Sequence, residues 1–291
     1  MIGVFGDVML DKYIYCSSTR YSPECATAPV GVVTDTIYSL GGAANVAFNI
    51  LKLGGETKLY GACSDLTTLD LIYGNRIPAR LERTRAKIIK NRYYINGKYY
   101  VRIDEESTIQ YDSEHIVEEI VSDAPKPLII SDYGKGTVTD FSRFKRKGFY
   151  TIVDAKKDFN LYRGAYIIKP NISEFYSELG IPQRESLEDS VNHILNTDIA
   201  ESFVDELDIG YMIITSGPLG AIIATNENTE LIPTMNVNVV DVTGAGDSFI
   251  AALAVAISKE KTIRESVEFA NKVASISVTK KGTGYVNHYE T

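Results

Sequence analysis

Cysteine is scarce in this chain. Cys16, Cys25 and Cys63 are odd in number and form no C-x-x-C pair, so neither a disulfide framework nor a zinc site is expected. That usage suits a reducing compartment, the cytoplasm. No apolar run reaches the roughly 18 residues of a membrane span, and no basic leader precedes an apolar stretch. Neither a span nor a secretory signal is expected. Positive charge is also short. With 30 Lys and Arg against 38 Asp and Glu, the net charge of −8 argues against a nucleic-acid binder, which needs basic stripes. A small anionic substrate stays open, because a few local cations outweigh a distant negative field. Internal repeats, low-complexity tracts and linkers are lacking too, so residues 1–291 read as one domain with an inserted piece.

What is present is an alternation of short apolar strands with helical stretches. Strands are expected at 1–5, 58–62, 127–130, 150–153, 166–169 and 211–215, and most break into Asp, Asn, Lys, Thr or Gly at the carboxyl end. An α/β fold with a doubly wound, mostly parallel sheet flanked by helices, and one ligand edge, gives that pattern. Two stretches differ. Residues 13–38 alternate without a helical period and read as exposed antiparallel strands. Residues 86–103 are two alternating runs around Asn96-Gly97, a strong hairpin signal. Together they are expected to form a small inserted β-sheet lid, roughly 12–38 and 86–103.

Chemistry concentrates at the glycine turns. Gly244, Ala245 and Gly246 precede an Ala-rich apolar helix, and a small-residue turn opening a helix leaves amide groups free to hold an anion. The run 237–242 before it reads as a buried strand end. Asp247, on the first helical turn, either caps the helix or takes a proton from an attacking hydroxyl. Gly41 and Gly42 open a second helix, with Asn45 on its first turn. The pair either admits a hydroxylated ligand or merely allows tight packing. Asp7 and Asp11, beyond the first strand, are either sugar ligands or turn residues. Asn171 and Glu174, one turn apart, are either a helix cap or holders of a hydrated Mg²⁺. Thr215, Gly217 and Gly220 form a turn suited to nucleotide phosphates or to a hairpin. Asn271 either lines an adenine pocket or lies on the surface.

With these residues laid out, the chain resembles the ribokinase, or PfkB, family of sugar kinases. Gly41-Gly-Ala-Ala-Asn45 is similar to the family's first signature, Asn171-x-x-Glu174 to its magnesium-associated motif, and the 241–247 segment to its second signature. Within the family, 6–11, 20–24, 131–136, 162–165 and 170–175 resemble the D-glycero-β-D-manno-heptose 7-phosphate kinases. The resemblance implies a ribokinase-like fold and ATP-dependent phosphorylation of O1 of heptose 7-phosphate on the way to ADP-heptose and lipopolysaccharide. No nucleotidyltransferase half follows in this sequence, so the expectation is a stand-alone kinase.

The resemblance also implies roles. Asp247 would be the general base, and the amides of Gly244, Ala245 and Gly246 the anion hole. Thr215, Gly217, Gly220, Thr243 and Asn271 would contact ATP. Asn171 and Glu174 would hold Mg²⁺ mainly through water, and Asp241 and Thr243 would border a K⁺ site. Asp7, Asp11, Gly42 and Asn45 would bind sugar hydroxyls, with Arg20, Arg102, Lys135 and Lys156 as cations for the sugar's existing phosphate. The lid would close over the sugar and pair two subunits as a homodimer. Two departures are visible: 65–86 is short, as if part of a βα unit were missing, and Asp154-Ala-Lys156 stands where these kinases have Asp-Pro-Lys. Rival expectations are a kinase for fructose 6-phosphate, ribose or a nucleoside, and a non-catalytic sensor of sugar or nucleotide.

Overall fold

In the computed structural model, residues 1–108, 113–146 and 148–291 are described. The chain begins with β1 (Ile2–Gly6), β2 (Val8–Ser17), β3 (Tyr21–Ser22), β4 (Cys25–Pro29), β5 (Val32–Gly42) and α1 (Ala43–Lys52). Next come β6 (Thr57–Ala62), α2 (Leu66–Gly74), β7 (Ala79–Glu82), β8 (Ile88–Ile95), β9 (Lys98–Glu106) and α3 (Glu114–Asp123). The middle holds β10 (Leu128–Asp132), α4 (Ser142–Arg146), β11 (Thr151–Ala155), β12 (Ile167–Ile168) and α5 (Ile172–Glu178). The rest is α6 (Leu187–Leu195), α7 (Ile199–Glu206), β13 (Tyr211–Thr215), β14 (Ala221–Ala224), β15 (Thr229–Ile232), α8 (Ala245–Ser258) and α9 (Ile263–Ser277).

Among the described residues nine strands make one sheet in the order β15-β14-β13-β12-β11-β10-β1-β6-β7, parallel except for the antiparallel pairs β13–β14 and β14–β15. Side chains alternate across it. Val4, Ile129, Ile152 and Ile213 pack with α1, α8 and α9, whereas Phe5, Ile130, Val153 and Ile214 pack with α3 to α7. Helices on both faces explain why the strands are apolar throughout rather than alternating with polar residues. Helix α8 is buried along most of its length, which its alanines permit because they let α1 and α9 approach closely.

The second sheet, β5-β2-β8-β9, is the one expected to serve as a lid, and it begins earlier than expected. Its strands reach Val8, Gly42 and Glu106, beyond the 12–38 and 86–103 bounds. Nor are they all exposed or antiparallel: β2 is largely buried and runs parallel to β8, while β9 is exposed along its whole length. Asn96 and Gly97 both adopt the left-handed backbone that their hairpin turn requires. The short segment 65–86 still supplies α2 and the edge strand β7, a complete helix-and-strand step. The run 237–242 is not a strand. Val239, Val240 and Val242 are more than half exposed, because this stretch forms the wall of a cavity instead of joining the sheet.

Candidate active site

The carboxyl ends of β1 and β10, the starts of α1 and α8, and the lid meet around Asp247. Gly244 takes the left-handed conformation (φ 79°) that turns the chain into α8, and no side chain caps this helix. The other glycine start, at α1, is also uncapped, whereas α5 and α9 carry full capping boxes. The amides of Gly246 and Asp247 therefore lie at the positive end of the helix without a capping side chain, whereas the Ala245 amide, expected in the anion hole, donates to the Val242 carbonyl at 3.2 Å. A side chain built on Gly246 would meet nothing within 4 Å, so open space lies over this turn.

Asp247 does not cap its helix. Its carboxylate turns across to α1 and β10, only 7% exposed. Asn45 Nδ2 donates to Oδ2 at 2.7 Å and the Tyr133 hydroxyl donates to Oδ1 at 2.8 Å. Asn49 Nδ2 in turn donates to Asn45 Oδ1, and Ser248 Oγ to Asn49 Oδ1, so a chain of amides ties α1 to α8 and fixes the Asp247 side chain. Burial pushes the Asp247 carboxyl above its usual range, and the hydrogen bonds from Asn45 and Tyr133 pull it partly back. A proton acceptor of raised basicity, locked in place, results. Asn45, expected from sequence to bind sugar hydroxyls, here donates to this carboxylate. Removing the Tyr133 hydroxyl removes one stabiliser of the charged form. Tyr133→Phe is therefore expected to raise the Asp247 pKa and move the acid limb of the kcat/KM profile to higher pH, read from rates across pH. An unmoved limb would show that the phenol does not tune this acid.

Asp7 is fully buried, and its carboxylate accepts from the backbone amides of Tyr133, Lys135 and Thr137. It organises the loop after β10, and the sugar-binding role expected of it is not what the geometry gives. Gly42 is needed because its φ is 55° and a Cβ there would lie 2.4 Å from the Asp7 carbonyl oxygen. Asp11, also buried, pairs with Arg92 Nη1 at 2.6 Å. Lys135 pairs with Glu106 of the lid. Arg102 binds Asp104 at 2.8 Å. Lys156 bridges Glu174 (3.0 Å) and Asp154 (3.5 Å), and its ammonium lies 4.9 Å from the Tyr133 ring centre. Asp154 also meets Lys169 at 3.2 Å. Burial opposes its charge, but the two lysines outweigh that and hold its carboxyl below the usual range. Arg20 is exposed in the turn after β2 and makes no ion pair among the described residues, so the structure does not bring it to this group.

On the other side of Asp247 lies a cavity of about 370 Å³ bordered by Thr215, Gly217, Gly220, Val242, Gly246 and Asn271. The turn from Thr215 to Gly220 is both a cavity wall and the link between the antiparallel β13 and β14. Asn271 is buried. Its amide donates to the carbonyls of Ile232 (2.9 Å) and Pro233 (3.4 Å), which holds the loop after β15 against the cavity. Asn271→Ala would leave a buried carbonyl unpaired and let that wall move. The expected result is a KM for ATP raised roughly tenfold, more than any change in kcat, measured by initial rates.

Asn171 and Glu174 form a reciprocal cap: Asn171 Oδ1 accepts from the Glu174 amide and Glu174 Oε2 from the Asn171 amide, both at 2.8 Å. With Glu174 Oε1 on Lys156, these groups suit contact with a hydrated ion through water, not direct ligation. Among the described residues no cluster of three or more His, Cys, Asp or Glu could hold a metal directly. Asp241 accepts from Thr243 N and Oγ1 on one oxygen and from Gly282 N on the other, joining two loops. Both oxygens are already engaged, so this carboxylate is built as a clasp between loops, without an orphaned atom that calls for a cation.

The profile of the pfkB family carbohydrate kinases matches residues 151–289. Over 298 residues the chain is 34% identical to the bifunctional protein HldE of Pseudomonas savastanoi pv. phaseolicola, covering 98% of this chain and 61% of that protein. It is 35% identical to HldE of Shewanella piezotolerans over 302 residues, 99% of this chain and 61% of that one. The chain belongs to the PfkB family of carbohydrate kinases. It spans about three fifths of the length of these relatives. The fold of this PfkB chain matches phosphofructokinase-2 of Escherichia coli in complex with potassium (TM-score 0.77, 17% identity, 100% of this chain and 96% of that one). It also matches Arabidopsis thaliana ribokinase complexed with ribose and ATP (TM-score 0.74, 19% identity, 99% and 96%). No helix among the described residues of this PfkB kinase is long and apolar enough to cross a membrane.

Sequence reasoning missed Tyr133, Lys90, Arg92 and Lys169 as members of this site. Two of them had a signal. Lys90 and Arg92 occupy alternate positions of a strand that is otherwise aromatic and apolar except for Asn91, so they share one face.

Proposed function

We propose that this domain transfers the γ-phosphoryl group of ATP to O1 of D-glycero-D-manno-heptose 7-phosphate, giving the 1,7-bisphosphate on a route to ADP-heptose. The observation that carries the phosphotransfer is Asp247: a buried, immobilised carboxylate beside uncapped helix amides, between a nucleotide-sized cavity and a cation-bearing lid face. The similarity to HldE across nearly the whole chain supports the sugar.

In this reading ATP fills the cavity bordered by Gly217, Gly220 and Asn271, with its phosphates over the 244–246 turn. Asp247 accepts the proton of the anomeric hydroxyl as that oxygen attacks the γ-phosphorus in line and ADP departs. The Gly246 and Asp247 amides stabilise charge on the transferring group. Asn171 and Glu174 would meet the water shell of a Mg²⁺ bound with ATP, which would supply neutralisation of the phosphate charge. The lid, closing over the sugar, excludes water that would otherwise accept the phosphoryl group. Residues 1–291 act as one kinase domain, in the cytoplasm where ATP is supplied.

The test is a panel of sugars and sugar phosphates incubated with ATP and purified protein, with ADP release as the readout. Heptose 7-phosphate is expected to give the highest kcat/KM. A higher value for fructose 6-phosphate or ribose would replace the sugar, and binding of sugar and ATP without ADP would mean a sensor.

The same proposal includes a homodimer through the lid. Strand β9 is an exposed edge carrying Tyr99, Tyr100 and Ile103, each more than half exposed, an apolar strip that monomers seldom leave bare. Light scattering after size exclusion is expected to give twice the chain mass, and Ile103→Glu to give the monomer. A wild-type monomer at assay concentration would reject this arrangement.

A further inference from the structure

Lys90 lies at the centre of the lid's inner face. Its register neighbours are Asp11 on β2 and Asp104 on β9. Each of these carboxylates is already taken, Asp11 by Arg92 at 2.6 Å and Asp104 by Arg102 at 2.8 Å. Glu106, further along β9, is held by Lys135. Lys90 itself makes no ion pair among the described residues. Three carboxylates therefore meet four cations here, and Lys90 is the one of the four with no carboxylate partner among the described residues. Burial depresses the Lys90 pKa although Asp11 is near, and Arg102 and Arg92 add repulsion. An isolated, partly desolvated cation is costly to keep unless an anion completes it.

The position says which anion. The Lys90 ammonium lies 5.1 Å from the Tyr133 ring centre, and the Tyr133 hydroxyl is bonded to Asp247. On the far side of Asp247 come Gly246 and the nucleotide cavity, which Lys90 does not border. The order is thus Lys90, Tyr133, Asp247, Gly246, cavity. An acceptor whose reacting hydroxyl meets Asp247 extends away from the nucleotide and toward Lys90, so the anion reaching this ammonium belongs to the acceptor. Lys156, which also lies against Tyr133, is already paired with Glu174 and Asp154.

We infer that Lys90 is the specificity-determining cation that binds a phosphate monoester at the far end of the sugar from the reacting hydroxyl. The inference rests on the sugar-kinase reading in taking the acceptor's hydroxyl to meet Asp247. It goes beyond that reading by making recognition of the distal phosphate depend on a residue outside the family signatures. Arg92 and Arg102 hold the neighbouring carboxylates away, which keeps Lys90 free for the ligand.

The experiment is titration calorimetry without ATP, using heptose 7-phosphate and unphosphorylated heptose on wild type, Lys90→Met and Lys90→Arg, with ADP release measured in parallel. Wild type is expected to prefer the phosphorylated sugar. Lys90→Met is expected to lose about tenfold to a hundredfold of that preference, the usual worth of one charge-assisted hydrogen bond, and Lys90→Arg to restore most of it. A Lys90→Met protein with the wild-type preference overturns the inference, as does a wild type that binds both sugars equally or neither. A wild type that shows the preference yet releases no ADP overturns the kinase reading alone and leaves the Lys90 assignment supported.

Discussion

Asp247→Asn is expected to keep its fold and its affinity for ATP while losing about 10²- to 10⁴-fold in kcat, the range of a general base. The substitution preserves shape, so the contact with Asn45 or Tyr133 can re-form through the remaining carbonyl oxygen. What disappears is the group able to take a proton. Calorimetry would report nucleotide binding and an ADP-coupled assay the turnover. A variant that turned over at the wild-type rate would remove Asp247 from the reaction. The pH dependence follows from the same residue. Because burial raises its pKa, Asp247 is protonated and inactive over a wider acid range than an exposed aspartate, and activity rises as pH passes upward through that pKa.

The largest effect on stability is expected at Asp7, away from the reacting atoms. Asp7→Ala strips the acceptor from three backbone amides at once, those of Tyr133, Lys135 and Thr137. Hydrogen bonds to a charged group contribute about 1.5–3 kcal/mol each and are not fully additive, so a loss of about 3–6 kcal/mol is expected. That is a large share of the 5–15 kcal/mol that stabilises a typical domain. It would appear as a lower denaturant midpoint at unchanged slope. Because the same loop carries Tyr133 to Asp247, the surviving folded fraction should also turn over slowly. A variant as stable as wild type would show that water replaces the carboxylate and that the loop holds its shape without it.

Most of the scaffold was legible because its signals are local. A buried parallel strand announces itself by an apolar run that ends abruptly in polar residues, and β10, β11 and β13 all do so. Asn96-Gly97 specifies a turn whose backbone few other residue pairs accept, and that alone located β8 and β9. The same local logic misread 237–242. A β-branched run suits a strand and equally suits an apolar cavity wall, and only the position of β15 and α9 separates the two.

Polar residues were harder, because their partners lie far along the chain. The sequence by itself determined the α/β layering, the Asn96-Gly97 hairpin, the glycine entry to α8 and the presence of an aspartate on its first turn. Only the tertiary structure decided that this aspartate turns away from its own helix to Asn45, 202 residues distant, and to Tyr133, 114 residues distant. It alone decided that Asp7 holds a loop, that Asn171 and Glu174 spend their bonds on each other, and that Lys90 is left without a counter-charge. The physical reason is that backbone preference acts over a few residues, whereas a buried charge is defined by which groups the folded chain brings within hydrogen-bonding reach.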